Sequence, residues 1–441
     1  MPFYPKALIF LLIAGTMTFF LDREERQGSF GAVDRNYRSF LMANTQEKIE
    51  EPSVTFLKID DPGKGVFGEW PLGPVNYSIL VDNLARNDPK VIALEPVMGW
   101  HGGRDEVELS TLRSSLLRLD RNEVLLGAEL MQNPSGEAIR DSTLSLFPQL
   151  TKVSGDRSRV PEFTRAGALP EPALMAISPM LGFTRIDLGD SEAKRDRDSF
   201  TIPLLARHGE RLVPSFILMT MVLEAGAEPG AVEVSFDEKL IRIPGGEGLE
   251  IPIDEGGRLA VHTGIREAVS KHNADILILD GEQDIRDQLE EAEREALLSR
   301  IVILGTDDEI ARSIELPKNA EKISQSELFA MAIATIQAKR FIRQVPPVVE
   351  YAIWAALAGI GVWLMRARRR GGLVMRWLVL VILYIVSCMM LFQYSGQWAP
   401  LVAPVGIIAS ILVVGLLLPM VRVTEPVSDP PPEAEDQPAE A

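Results

Sequence analysis

Residues 54–97 read VTFLKIDDPGKGVFGEWPLGPVNYSILVDNLARNDPKVIALEPV. Val54 to Ile59 is a short apolar run rich in strand formers, followed by a Gly- and Pro-rich loop. In Val75 to Asn87, the residues Val75, Ile79, Leu80 and Leu84 share a helical face. Val91 to Leu94 is a second strand. The alternation continues outward: Glu106 to Leu119 places Leu109, Leu112, Leu116 and Leu119 in helical register, and Val124 to Leu130 is a third strand. Strand, helix, strand, helix, strand with short links predicts βαβ units and a parallel sheet, since parallel neighbours need a crossover connection.

Beyond this block the pattern loosens and then returns. Pro161 to Pro179 reads as loop with a short helix, Thr201 to Leu205 as a strand, and Pro214 to Ala225 as a buried helix opened by its proline. Val232 to Phe236, Leu240 to Ile243 and Leu249 to Ile253 are short strands broken by Asp-Glu and Gly-Gly turns, which predicts a small antiparallel insert. Asp275 to Leu279 and Ile301 to Leu304 read as strands, Asp284 to Leu298 as a charged helix, and Ser324 to Ile342 as one long amphipathic helix. The fold class expected is an α/β extracytoplasmic domain over residues 30–343, held by four transmembrane helices.

Those helices come from apolar runs at the two ends. Residues 7–21, ALIFLLIAGTMTFFL, follow Lys6 and lack a small-residue cleavage site before Asp22, so they read as an uncleaved signal anchor after a cytoplasmic segment 1–6. Spans are expected at 346–366, 373–393 and 401–421, each near the roughly 20 residues that cross a hydrocarbon core. Arg366, Arg368, Arg369 and Arg370 lie between the first two of these, whereas Tyr394 to Pro400 carries no basic residue. Basic loops stay on the cytoplasmic side, which puts residues 22–345 outside and the arginine loop inside a cell inner membrane. Residues 424–441 hold six acidic residues, five prolines and no basic residue, the composition of a disordered solvated tail.

Charge and cysteine content narrow the chemistry. With 62 acidic against 45 basic residues, a net charge of -17, the chain has no basic stripe for nucleic acid. Cys388 is the sole cysteine, so neither an intrachain disulfide nor a Cys-based zinc site is available. His101, His208, His262 and His272 show no metal-ligand spacing, and no GxSxG, HExxH or phosphate-loop pattern occurs. No metal, no cofactor and no catalytic activity is expected.

Ile59-Asp60-Asp61, Gly68-Glu69-Trp70-Pro71 and Val91-Ile92-Ala93-Leu94 resemble the opening of the CHASE2 family of extracytoplasmic sensor domains. Val33 to Arg38 is similar to the family's first helix, and Arg300 to Thr306 to its final strand. The chain departs from the pattern at Leu72-Gly73-Pro74, where the family often continues Trp-Pro-Arg, and at Glu95, where it has Asp. The resemblance implies a divergent sensory domain preceded by one span and followed by three.

Asp60, Asp61, Trp70 and Glu95 are the candidate ligand-binding residues. Three carboxylates at strand C-terminal ends would sit where open α/β sheets bind ligands, and could hold a cation or position a cationic ligand. The structural alternative has Asp60 capping a turn, Glu95 facing water and Trp70 anchoring its loop. The expected role is a ligand- or signal-input membrane protein without its own catalytic output, acting through a signalling partner protein. The alternative is a cell-envelope scaffold whose domain binds another protein.

Overall fold

The computed structural model describes residues 3–26, 29–44, 52–59, 72–100, 105–119, 124–132, 141–177, 180–187, 200–246, 248–275, 277, 297–298, 300–306, 314–315, 322–366 and 370–417. The chain forms two compact units: Arg35–Arg343 with Phe392–Gln397, and Met1–Asp34 with Gln344–Leu391 and Trp398–Ala441.

In the larger unit the strands run, in chain order, β1 (Val54–Ile59), β2 (Val91–Leu94), β3 (Val124–Met131), β4 (Lys152–Ser154), β5 (Arg165–Ala166), β6 (Met180–Asp187) and β7 (Thr201–Pro203). There follow β8 (Leu205–His208), β9 (Arg211–Pro214), β10 (Glu233–Ser235), β11 (Leu240–Ile243), β12 (Leu249–Pro252), β13 (Arg258–Ala260), β14 (Ser270–Asn273) and β15 (Ile301–Thr306). The main sheet has seven strands in the order β14-β1-β15-β2-β3, with β5 and β6 both on β3. All its pairings are parallel except β3 with β5.

Alternating side chains feed two cores. Phe56, Ala93, Leu125 and Ile303 pack on one face with the helices Phe216–Glu224 and Gln325–Gln337. Leu57, Ile92, Leu126 and Leu304 pack on the other with Pro74–Ala85 and Glu106–Leu117. Burial on both faces is why these strands read as continuous apolar runs rather than alternating ones. β10, β11, β12 and β4 form the separate four-stranded sheet, with β10–β11 and β11–β12 antiparallel as expected and β4 added in parallel.

Several expectations are corrected. In the helix Pro74–Ala85 the buried stripe is Tyr77, Leu80, Val81 and Leu84, while Val75 and Ile79 are exposed. That stripe has i, i+3, i+4, i+7 spacing, so the helix is rotated from the face first read. Pro214 ends β9, and Ser215 caps the following helix through the Leu218 amide, 3.1 Å away. The strand expected at 275–279 lies earlier, at Ser270–Asn273, whose polar sequence at the sheet edge carries no apolar run. The helix beginning after Ser324 stops at Gln337 rather than Ile342. Lys339 adopts φ 52°, and the Lys339 and Arg340 amides donate to the Ile336 and Thr335 carbonyls, a Schellman ending. The helix expected at 284–298 falls almost wholly outside the described residues.

Among the described residues, three helices are long and apolar enough to cross a membrane: Tyr4–Glu25, Pro347–Leu364 and Gly371–Ser395. The N-terminal helix runs from Phe3 to Arg26, longer than the 7–21 expected, because its charged end continues the helix. The last expected span appears as Val402–Leu417, an apolar helix of 16 residues; 418–421 lie outside the described residues. Gly361 faces Phe10 and Gly406 faces Leu21 so closely that a Cβ on either would collide. Small residues at such crossings let helices approach within van der Waals contact, the main attraction between helices where solvent is as apolar as the side chains. Outward-facing Leu12, Phe19, Ile382 and Leu383 remain exposed, the surface a lipid environment would cover.

Candidate functional site

The C-terminal edge of the main sheet brings together Glu95, Gln325, Ser326 and Thr306. β2 runs Val91–Leu94 between β15 and β3, and Glu95 is the first residue past its end. Its amide is still held by the sheet, donating to the Leu304 carbonyl at 3.0 Å. The side chain is buried.

Its partners come from the start of the helix Gln325–Gln337. Gln325 Nε2 donates to Glu95 Oε1 at 3.1 Å and to the Thr184 carbonyl at 3.2 Å. Ser326 Oγ donates to Glu95 Oε2 at 3.0 Å and accepts from the Thr306 amide at 3.1 Å. The Glu95 carboxyl therefore joins the helix N-terminus to β2, while Gln325 and Ser326 extend the joint to β6 and β15. Two glycines make room for it. A Cβ on Gly305 would strike the Ser326 side chain, and one on Gly127 would strike the Glu95 carbonyl.

The helix start is built by its own sequence, Ser324-Gln325-Ser326-Glu327. Ser324 accepts from the Glu327 amide at 3.1 Å, as an N-cap serine does. Glu327 meets Arg266 at 2.6 Å and also pairs with Lys271, so the first turn is fastened on both sides. The meeting of this turn with Glu95, 230 residues away, has no signature in either segment of the sequence.

Burial pushes the Glu95 carboxyl up to about 7; the bonds from Ser326 and Gln325 oppose the rise, and Glu129 adds to it by repulsion. Glu129 itself pairs with Arg185 at 3.6 Å. The Tyr77 hydroxyl is raised by burial and then by Glu95. Near neutral pH Glu95 thus stands between its neutral and charged forms, as a buried polar hub rather than a free acceptor.

The alternative in which Glu95 faces water is corrected: the helix Gln325–Gln337 covers it. Asp60, Asp61 and Trp70 lie outside the described residues. The ends of β1 and β2 are separated by β15, a distance of about 10 Å at the usual spacing between strands. Trp100 anchors the loop after β2: it is buried, its Nε1 donates to the Leu72 carbonyl at 2.8 Å, and its ring meets Tyr77 edge-on at 6.2 Å.

The CHASE2 domain profile matches residues 7–366 of the chain. No curated protein and no solved structure matches it.

Proposed function

The chain belongs to the CHASE2 family of extracytoplasmic sensory domains, and from that premise we propose that it is a membrane-anchored signal-input protein of the inner membrane. In this reading four spans hold it, the domain lies outside, and a partner protein in or under the membrane supplies the output. The match from 7 to 366 carries the proposal, because it takes in candidate spans on both sides of the domain. The helix Gln325–Gln337 supports it further. Its N-terminus is held by Glu95, and ten residues after its C-terminus the chain enters the apolar helix Pro347–Leu364. A change at the Glu95 hub has a short covalent route to the bilayer.

Two measurements on the full-length chain test this. Reporter fusions near residues 200 and 369 should report opposite compartments; the same compartment for both would end the proposal. In-membrane crosslinking should then capture a partner whose yield changes when Ser326→Ala loosens the hub. Equal capture by both forms would instead favour a scaffold that binds its partner whatever the state of the domain.

A further inference from the structure

A second feature of the larger unit lies away from Glu95. A cleft of about 720 Å³ opens between the four-stranded sheet and the segment that follows the helix Gln325–Gln337. Its volume is that of a small-molecule site. One wall is a cross-strand row: Lys152 stands opposite Glu233, Glu233 opposite Arg242, and Arg242 opposite Glu250. Lys152 meets Glu233 at 3.1 Å and Arg242 meets Glu250 at 3.2 Å, so this row neutralises itself.

The facing wall does not. Lys339 and Arg343 line it, both exposed, and neither has an acidic partner among the described residues. The cleft therefore presents four cations against two carboxylates, on a chain whose net charge is -17. Two local features hold the surplus charge in place. The left-handed turn at Lys339 ends the helix and directs the chain along the cleft. The Phe341 ring lies 5.6 Å beneath the Arg343 guanidinium, holding this exposed side chain by cation–π attraction.

We propose that this cleft binds a phosphate-bearing anion, gripped by Lys339 and Arg343 above the apolar surface of Phe341, Ile243 and Leu249. A guanidinium fork and an ammonium lining one cleft match the oxygens of phosphate, whereas single surface cations do not organise one. The same chemistry has two sources, a soluble phosphate and the headgroup of an anionic phospholipid. The second is pertinent because the apolar helix begins at Pro347, four positions after Arg343. The proposal goes beyond the sensory reading and stands whether or not the Glu95 hub transmits a signal.

The test uses the full-length chain in nanodiscs and the double variant Lys339→Gln with Arg343→Gln. In phosphatidylcholine discs, inorganic phosphate is titrated by calorimetry; saturable binding weakened about ten-fold or more in the variant supports a soluble anion. In discs mixing phosphatidylcholine and phosphatidylglycerol, retained lipid is read by native mass spectrometry; phosphatidylglycerol enrichment lost in the variant supports a headgroup. Both substitutions are at exposed positions, and equal urea resistance confirms that the variant is folded. Identical behaviour of wild type and variant in both arms overturns the proposal, as does phosphate binding abolished by Glu95→Gln but untouched at Lys339 and Arg343.

Discussion

Glu95→Gln should make the extracytoplasmic domain more stable, by an amount that grows as pH rises from about 4.5 and is complete above about 7. In the folded chain burial lifts the Glu95 carboxyl from 4.5 to about 7, against the pull of Ser326 and Gln325. Between those values the folded form holds a proton that the unfolded form has released. Stability therefore falls as pH rises through this window and levels off above about 7. At about 1.4 kcal/mol per pH unit, the full loss is about 3 kcal/mol. Glutamine keeps the shape and stays neutral, so it escapes that loss, while near pH 4.5 the two proteins should be almost equal. The groups around the hub set the sign: Tyr77 and Glu129 offer no positive charge, and Arg185 is engaged with Glu129. The assay is pulse proteolysis of the full-length chain in nanodiscs across a urea series, from pH about 4.5 to about 8.5. Both proteins must be compared at each pH, because His262 titrates in the opposite direction. A stability difference that stays constant across the range would refute the reasoning, since a group neutral or charged throughout has no such dependence.

Three further outcomes follow from the packing of the same domain. His262 is buried and held down to about 4 by burial, with Arg340 opposing its charge, so stability should fall as pH drops from 6.5 through 4. His262→Leu should flatten that acid limb in the same proteolysis assay. Gly305→Ala places a Cβ against Ser326 and Phe56 and should cost about 1–3 kcal/mol by urea unfolding, with the helix Gln325–Gln337 losing amide-exchange protection first. Phe216→Ala removes a fully buried ring whose centroid lies 5.9 Å from that of Phe329 and should cost about 3–5 kcal/mol; a loss under about 1 kcal/mol would contradict the close packing of these two helices.

The first βαβ units were legible because their information is local. Val54–Ile59, Val91–Leu94 and Val124–Met131 are mostly apolar, with Lys58 and Glu129 as their only charged residues, and each is bounded by turn or helix signals within a few residues. Strands with mixed sequences escaped notice: Met180–Asp187 carries Thr184, Arg185 and Asp187, yet it forms the longest run of pairing with β3. Ser270–Asn273 was missed because it is a half-exposed edge strand whose polar sequence carries no apolar run. Glu95 was marked for its place after a strand, but its environment was misread. Nothing near residue 95 tells that Gln325 and Ser326 will cover it.

By itself, the sequence determined the apolar helices at the two ends, the alternating strand and helix order, the antiparallel insert and the family resemblance. Each of these rests on spacing or composition within a few tens of residues. Only the tertiary structure decided that Glu95 is a buried hub, that Trp100 anchors its loop, and that Lys339 and Arg343 face a self-neutralised row of charges. Those facts depend on through-space meetings between segments far apart in the chain, where burial and unpaired charge are created by packing and have no signature in either segment alone.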